Sequence, residues 1–433
     1  MTARLGVVGR RQLRRGAAVL AAGLLVAGLA ACGDGESPAP KPAHADAVAL
    51  SAEVPDDLSI GVVVSLASAP GQGVEWRDAA EGARVAAQRF QLGGADVTLV
   101  GANDKGTAQG ATAAVKSLIG AGVAGIVLAS SGTHLQAAVQ EAAALGTPVL
   151  LPYVEDTTAL PPHAWLTGPD GTVADGRLLQ ALRQRGARRP FLVDAGGGPI
   201  DALVPSGTAT FRAGGDPSVL VKTLRQRQTS TNTAFDAVVV SGPAALQATV
   251  VQAMQGARIG VPFFLTPQAL SPTFPAALAK ANGSLSDEFI TAGLDVGDAG
   301  ALASSPAGRS LAAYFSALRM TAADPEVQDL LGDRPFTAVV GAADVRSHDA
   351  VVALVRASAA AGSTAPAEVA TALSGLRLGS DAGTAGPALD FTSATAVGSD
   401  AVVALGATTA SPGLRPGTGA TPPALFWFPM PAS

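Results

Sequence analysis

Few residues in this chain have the spacing that catalysis or metal binding requires. Cys32 is the only cysteine among 433 residues, which excludes zinc and iron–sulfur sites built from several thiolates. The glycines at 196–198 come after a predicted strand, but Asp201 interrupts the G-x-G-x-x-G pattern, and neither a G-x-x-x-x-G-K-[ST] loop nor a G-x-S-x-G turn is present. The histidines are scattered without the spacing of metal ligands: His44, His134, His163 and His348. We therefore predict no catalytic residues, no metal and no cofactor.

Cys32 lies where its thiol has a different chemistry. Five arginines precede an uncharged, apolar run at residues 16–31, which is the layout of a secretory signal and is shorter than the roughly 20 residues of a spanning helix. The run ends in Leu29-Ala30-Ala31-Cys32, which resembles the bacterial lipobox, where the cysteine becomes the lipidated first residue. We predict a signal peptide at residues 1–31 and a chain held by Cys32 at the outer face of the bacterial cell membrane. An uncleaved anchor helix is the alternative, and it also places the bulk of the chain outside the cytoplasm.

The charge of the processed chain disfavours nucleic-acid binding. The full chain has 29 basic and 34 acidic residues. Removal of residues 1–31 deletes five arginines and no acid, so 24 basic and 34 acidic residues remain, a net charge of −10. Nucleic-acid binding depends on basic patches that displace counterions.

The chain after Cys32 first lacks periodicity and then alternates strand and helix. Residues 32–57 predict a flexible tether, since their Gly, Ser, Pro and acidic residues bury little apolar surface. From residue 58, apolar runs typical of buried strands alternate with amphipathic helices. The predicted strands of this first array are 59–64, 97–100, 125–129 and 149–151, and its helices are 76–90, 107–118 and 133–145.

The same alternation then restarts. The second array has predicted strands at 190–193, 208–211, 236–240 and 262–265 and helices at 172–185, 217–228 and 244–255. Helices at 307–318, 349–361 and 365–376 lack enough strands for a third domain, and 388–391, 400–405 and 425–428 predict edge strands. Two βα arrays predict an α/β fold of two Rossmann-like lobes with parallel sheets.

An ordered set of segments resembles the type I periplasmic binding proteins, in particular the leucine/isoleucine/valine-binding branch that serves ABC importers. It includes Ser130-Ser131-Gly132-Thr133, then Gly146-Thr147-Pro148 leading to Pro152-Tyr153, and Ser347-His348-Asp349-Ala350-Val351 near the C-terminus. The resemblance implies two lobes joined by hinge strands that close on a small ligand. It also implies lobe borders: 58–167 and 294–386 form lobe 1, while 168–293 and 387–433 form lobe 2 and the tail.

The resemblance further implies a ligand site. The loop with Ser130, Ser131 and Thr133 would hold a carboxylate, as a helix N-terminus does without a basic side chain. Thr133 with Gln136 also fits a capping box, so Thr133 could instead start its helix. The remaining candidates are an aromatic that would cover the ligand and residues of the loops after two strands: Trp76, Tyr153, Val154, Glu155 and Gln268.

Two departures from the pattern affect the ligand. Asp194-Ala195-Gly196-Gly197-Gly198-Pro199 replaces an Asp-x-x-Tyr-Gly segment, and Gln268 stands near where relatives place an acid for the ligand's ammonium. Glu155 replaces a small hydroxyl residue and could hold a cationic group. We expect a monomeric solute-binding lipoprotein with a small polar ligand and an ABC permease as partners. The alternative is a lipid-anchored sensor or interaction protein without a transport role.

Overall fold

The computed structural model describes residues 46–156, 158, 160–230, 234–416 and 424–431. The predicted signal peptide, Cys32 and the first part of the predicted tether lie outside the described residues. Within the residues from Asp46 onward, the chain folds as one compact unit.

The folded part begins earlier than residue 58, so the predicted tether of 32–57 is too long. Leu50 is buried in the core, and its N–H donates to the carbonyl of Arg89 over 2.8 Å. The Arg356 guanidinium donates to the carbonyl of Ser51 over 2.7 Å. Val48, Ala52 and Val54 also pack on the core. This short alternation lies among Ala, Ser and acidic residues, which is why composition assigned the segment to the tether.

The first sheet is wholly parallel, with strand order β2-β1-β3-β4-β5. Its strands are short, apolar and mostly buried on both faces, as expected for a parallel sheet covered by helices. They are β1 (Leu58–Val64), β2 (Val97–Asn103), β3 (Gly125–Leu128), β4 (Val149–Leu151) and β5 (Ala164–Leu166).

The second sheet is parallel across five strands and antiparallel at one side, with order β14-β13-β10-β9-β8-β6-β7. Its strands are β6 (Pro190–Asp194), β7 (Gly207–Thr210), β8 (Ala237–Ser241), β9 (Phe263–Leu265), β10 (Phe289–Leu294), β13 (Val402–Thr408) and β14 (Phe426–Pro429). A separate antiparallel pair joins β11 (Arg377–Leu378) to β12 (Leu389–Asp390). The sequence missed β10, and β13 is an interior strand rather than the predicted edge.

The helices cover the sheets. They are α1 (Gly82–Leu92), α2 (Ala108–Gly120), α3 (Gln136–Ala144), α4 (Gly171–Gln184), α5 (Pro217–Thr229), α6 (Ala244–Gly256), α7 (Thr273–Lys280), α8 (Pro306–Ala323), α9 (Val345–Ala361) and α10 (Pro366–Leu373). The predicted helix at 76–90 begins later, at Gly82, after two short 3-10 turns.

The chain passes between the sheets more than once. After β5 it enters α4, which packs on β10 and β13 of the second sheet. After β10 it returns, because α8 and α9 pack on α1 beside the first sheet. It then reaches β13 in the second sheet. These crossings create two lobes with a cleft at the ends of their strands.

The helices of the described residues are those of a packed α/β core. No single one of them is long and apolar enough to span a membrane, although α9 and α10, bent by 104°, meet the length and composition test as a pair. No group of three His, Cys, Asp or Glu side chains suited to a metal ion occurs in this part of the chain.

Candidate functional site

A cavity of about 260 Å³ lies where loops from the two sheets meet. The first lobe contributes Gly71, from the loop after β1, and Glu155, from the loop after β4. The second lobe contributes the start of α4 and the loops at the carboxyl ends of β6, β8 and β9, where ligands of parallel α/β sheets bind. These lining residues are Gly171, Asp175, Gly196, Gly197, Pro199, Ile200, Ser241, Gly242, Pro243, Thr266, Pro267 and Gln268.

Asp194 shapes the second-lobe wall of this cavity. Its Oδ1 accepts the N–H groups of Gly196 and Gly198 over 2.9 and 3.0 Å, while Oδ2 pairs with Arg212 at 2.9 Å. Gly197 packs so closely that an added Cβ would collide with the Ser241 hydroxyl. The glycine run that departs from the sequence pattern therefore forms a backbone wall, and Asp194 is used to hold it.

Glu155 and Gln268 join the two lobes across the cleft. The Gln268 amide nitrogen donates to Glu155 Oε1 over 2.9 Å, while Gln268 Oε1 is buried and has no hydrogen-bond partner. Burial raises the pKa of Glu155 to about 7, against the lowering effect of Arg346 and of the hydrogen bond from Gln268. Glu155 therefore titrates near neutral pH.

Asp175 is the second carboxyl of the cavity. It lies on α4, half-buried. Burial, together with the nearby Asp201 carboxylate, raises the pKa of Asp175 to about 6. Among the described residues, neither Asp175 nor Glu155 has a basic side chain within ion-pair distance. Asp175 was not predicted from the sequence, because nothing in the residues around it distinguishes it from a solvated helix position.

A second cavity of about 220 Å³ adjoins Glu155 and Gln268, which line both spaces. Its remaining wall is largely apolar and comes from α3, the end of β4 and the loop beyond β4. The other lining residues are Gly132, Thr133, Leu135, Gln136, Val139, Leu151, Tyr153, Val154, Asp156 and Leu160. An elongated ligand with one polar and one apolar end would have room in the two spaces together.

Stacked aromatic rings support the Glu155 loop from behind. The rings of Trp76 and Tyr153 are parallel within 5° with centroids 4.6 Å apart, and both residues are about 1% exposed. The Arg346 guanidinium carbon lies 4.4 Å from the Trp76 ring centroid and 4.5 Å from that of Tyr153. The Tyr153 hydroxyl donates to Asp344 Oδ1 over 2.7 Å, and Arg346 pairs with the other Asp344 oxygen at 2.9 Å. Trp76, which was predicted to cover the ligand, packs under Tyr153 and lines neither cavity in this structure.

The Ser130 hydroxyl belongs to a buried network centred on Asp104, which is fully buried. Ser130 and Ser65 each donate to the Asp104 carboxylate, over 2.8 and 2.6 Å, and His134 Nε2 lies 2.9 Å from Oδ2. The Gly106 N–H adds a bond of 2.8 Å. Burial alone would raise the pKa of Asp104, but these hydrogen bonds lower it below its ordinary value.

No protein-family model matches the chain, and no curated protein matches it. Solved structures do match over most of its length. A type 1 periplasmic binding protein from Bordetella pertussis is 15% identical, with a TM-score of 0.61, over 87% of this chain and 100% of that one. The chain has the type I periplasmic binding protein fold.

Two further structures with this fold contain ligands. The branched-chain amino acid transporter substrate binding protein LivJ from Streptococcus pneumoniae, solved with isoleucine, is 16% identical with a TM-score of 0.56, over 81% of this chain and 95% of that one. A solute binding protein from R. palustris, solved with 4-hydroxybenzoate, is 14% identical with a TM-score of 0.59, over 86% of this chain and 96% of that one. At these identities the likeness establishes the fold alone.

Five of the eight residues predicted to bind ligand in this type I fold lie at the cavities. Tyr153, Val154 and Thr133 line the smaller one, and Glu155 and Gln268 line both. Ser130, Ser131 and Trp76 line neither. The Ser131 hydroxyl is nevertheless buried without a hydrogen-bond partner.

The alternative role assigned to Thr133, a capping box with Gln136, is wrong. Thr133 lies inside a 3-10 turn that runs from Thr133 to Leu135, and the capping position is Gly132, which has no side chain to accept a bond. Gln136 begins α3 only after that turn. The Thr133 side chain is therefore exposed at the smaller cavity.

Proposed function

We propose that this protein is the solute-binding lipoprotein of an ABC importer and captures a small polar ligand outside the cytoplasm by hinge closure. The observation that carries the proposal is a polar cavity lined by both lobes at the carboxyl ends of their parallel strands. Structures of the same fold include transporter substrate-binding proteins solved with an amino acid and with an aromatic acid. We propose lobe borders near residues 167, 293 and 386, where the chain crosses between sheets.

Direct contacts between the lobes supply the closing surface. Gln268 of the second lobe donates to Glu155 of the first. The Ser271 hydroxyl donates to the carbonyl of Glu75 over 2.7 Å. A ligand in the cavity would touch groups from both lobes and would therefore favour this arrangement over one with the lobes apart. Binding and release of a solute, without covalent chemistry, is the role these contacts support.

Ligand binding is testable by thermal unfolding of the purified protein in a broad screen of amino acids and small polar metabolites. We expect at least one compound to raise the Tm at millimolar concentration, since a ligand that binds only the folded state stabilises it. Gln268→Ala removes a residue from both cavities and is expected to reduce that shift, whereas Gln252→Ala on α6, which lines neither cavity, is the matched control. A screen in which no compound raises the Tm would overturn the proposed function and favour an interaction protein.

The membrane anchor is tested separately. Cells that produce the full chain are grown with an alkyne-labelled fatty acid, and we expect the label on the wild-type protein but not on Cys32→Ser. Ser37→Ala, a change in the same segment, should keep the label. Label retained by Cys32→Ser would exclude lipidation at this position.

A further inference from the structure

The larger cavity offers hydrogen-bond acceptors rather than donors. Its glycine N–H groups all donate within the protein: Gly71 to Glu75 Oε1, Gly171 to the carbonyl of Glu155, Gly196 to Asp194 Oδ1, Gly197 to the carbonyl of Ser241, and Gly242 to Thr266 Oγ1. Pro199, Pro243 and Pro267 have no N–H to give. The glycine and proline positions of this wall therefore offer no free N–H group to an anion.

The side chains of the same wall also offer mainly hydrogen-bond acceptors. Glu155 and Asp175 bring two carboxyls, while the Gln268 amide nitrogen is used by Glu155. Ser241 has a hydroxyl, which donates or accepts as needed. Among the described residues that line either cavity, none is Lys, Arg or His. A ligand that itself carries N–H donors and positive charge complements such a wall.

In the loop expected to bind a ligand carboxylate, the Ser130 hydroxyl is already used by the protein. The Ser130 hydroxyl donates to Asp104, which is a carboxylate of the chain itself. The loop after β1 lies over this hydroxyl so closely that a Cβ at Gly73 would collide with it. An amino-acid ligand would therefore bring its carboxylate to a site that has no hydroxyl of Ser130 to offer.

From these observations we propose that the cavity takes a small organic cation, an amine or a guanidine without a carboxylate, rather than a zwitterionic amino acid. The inference rests on the proposed function, because it names the ligand class of the same cavity. The cation would lie between Glu155 and Asp175, with its N–H groups directed at both carboxylates. Any apolar part would extend toward the smaller cavity, which Glu155 and Gln268 also line.

Matched ligands that differ only in charged groups test the proposal by calorimetric titration at pH 8. Leucine is compared with isoamylamine, which lacks the carboxylate, and with 4-methylpentanoate, which lacks the amine. Arginine is compared with agmatine in the same way. We expect at least one amine to bind at least tenfold more tightly than its parent amino acid, and 4-methylpentanoate not to bind.

Variants of the two cavity carboxyls test whether they bind the amine. Glu155→Gln and Asp175→Asn are expected to weaken binding of the amine at least tenfold each, whereas Glu53→Gln, an exposed acid that lines neither cavity, should leave it unchanged. Unfolding curves of each variant exclude loss of folding as the cause. We also expect the amine to bind at least tenfold more weakly at pH 5 than at pH 8, because Glu155, whose pKa is raised to about 7, must lose its proton to pair with it.

The outcomes separate this inference from the proposed function. If an amino acid binds more tightly than its amine, or if the screen finds only neutral or anionic ligands, the cation inference fails and solute binding stands. If the hit is a cation but neither carboxyl variant weakens it, the cavity assignment is overturned. If no solute of any charge binds, the proposed function itself fails.

Discussion

The Asp104 network and the cleft carboxyls use the same chemical group in opposite ways. Asp104 accepts hydrogen bonds from Ser65, Ser130 and the Gly106 backbone and contacts His134, and these bonds lower its pKa despite full burial. Glu155 receives one hydrogen bond, from Gln268, and burial raises its pKa to about 7. A carboxylate served by several donors is part of the fold, whereas one left short of donors in a cavity is available to a ligand.

The largest loss of stability is expected from removing Asp104, whose carboxylate accepts several hydrogen bonds within the fold. Asp104→Ala would leave buried hydroxyl, imidazole and amide groups without their acceptor, and unsatisfied groups of this kind cost about 3–5 kcal/mol in total. Urea unfolding measures the loss. Asp96→Ala, which removes an exposed aspartate shortly before the same loop, is the control and should cost less than about 0.5 kcal/mol. A loss below about 1 kcal/mol for Asp104→Ala would mean that this network is not structural.

The next effect tests whether the loop after β1 covers Ser130. Gly73 has a φ of 100°, and an added Cβ would collide with the Ser130 and Ser65 hydroxyls. Gly73→Ala is therefore expected to cost about 3 kcal/mol, from backbone strain together with overpacking. Gly94 has a φ of 86° with nothing near its Cβ position, so Gly94→Ala isolates the strain and should cost about 1 kcal/mol. Equal losses in the two variants would place the loop away from Ser130.

The sequence predicted the overall two-lobed fold better than the long-range contacts within it. Strands such as β4 (VLL) and β9 (FFL) are continuous apolar runs, which is why their positions and the two-lobed fold followed from pattern alone. β10 (FITAGL) carries a threonine and a glycine, and it was missed although all six of its residues are buried. Its place between β9 and β13 is decided by pairing with strands distant in sequence, which local periodicity does not report.

In the candidate site, too, the positions of residues were predicted better than their long-range contacts. Glu155 and Gln268 were named because of the loops they occupy, and the structure brings them together across the cleft. The use of Ser130 by Asp104 depends on a contact over 26 residues, between loops that follow different strands. No spacing rule distinguishes a serine that waits for a ligand from one that already serves the chain's own carboxylate.

Replacing Glu155 in the cleft is expected to have a smaller effect on the free energy of unfolding, and of opposite sign. Because the folded-state pKa of Glu155 is raised, its protonated form contributes stability below about pH 4.5, and that stability is lost as the pH rises through about 7. Glu155→Gln removes the buried charge. It should therefore raise the free energy of unfolding by about 1–2 kcal/mol at pH 8 and by less than about 0.5 kcal/mol at pH 5, a range reduced for partial exposure.

Asp156, the neighbour of Glu155, is the matched control for this pH dependence. Its carboxylate accepts the Thr158 N–H and hydroxyl, which lower its pKa, so its stabilising effect is present above about pH 4 and is lost as the pH falls further. Asp156→Asn should thus lower stability slightly at pH 8, opposite in sign to Glu155→Gln. A destabilising Glu155→Gln at pH 8 would show that the cleft carboxylate is already satisfied.

The smallest expected difference in stability is between alanine variants of two adjacent serines. Ser130 donates to Asp104, so Ser130→Ala loses a hydrogen bond to a charged group and should cost about 1.5–2 kcal/mol in urea unfolding. The Ser131 hydroxyl is buried without a partner, and Ser131→Ala removes an unsatisfied group and should change stability by less than about 0.5 kcal/mol. Similar losses in both variants would mean that Ser131 has a partner in solution. In that case the loop keeps one hydroxyl bond independent of Asp104, and the contrast with the cleft weakens.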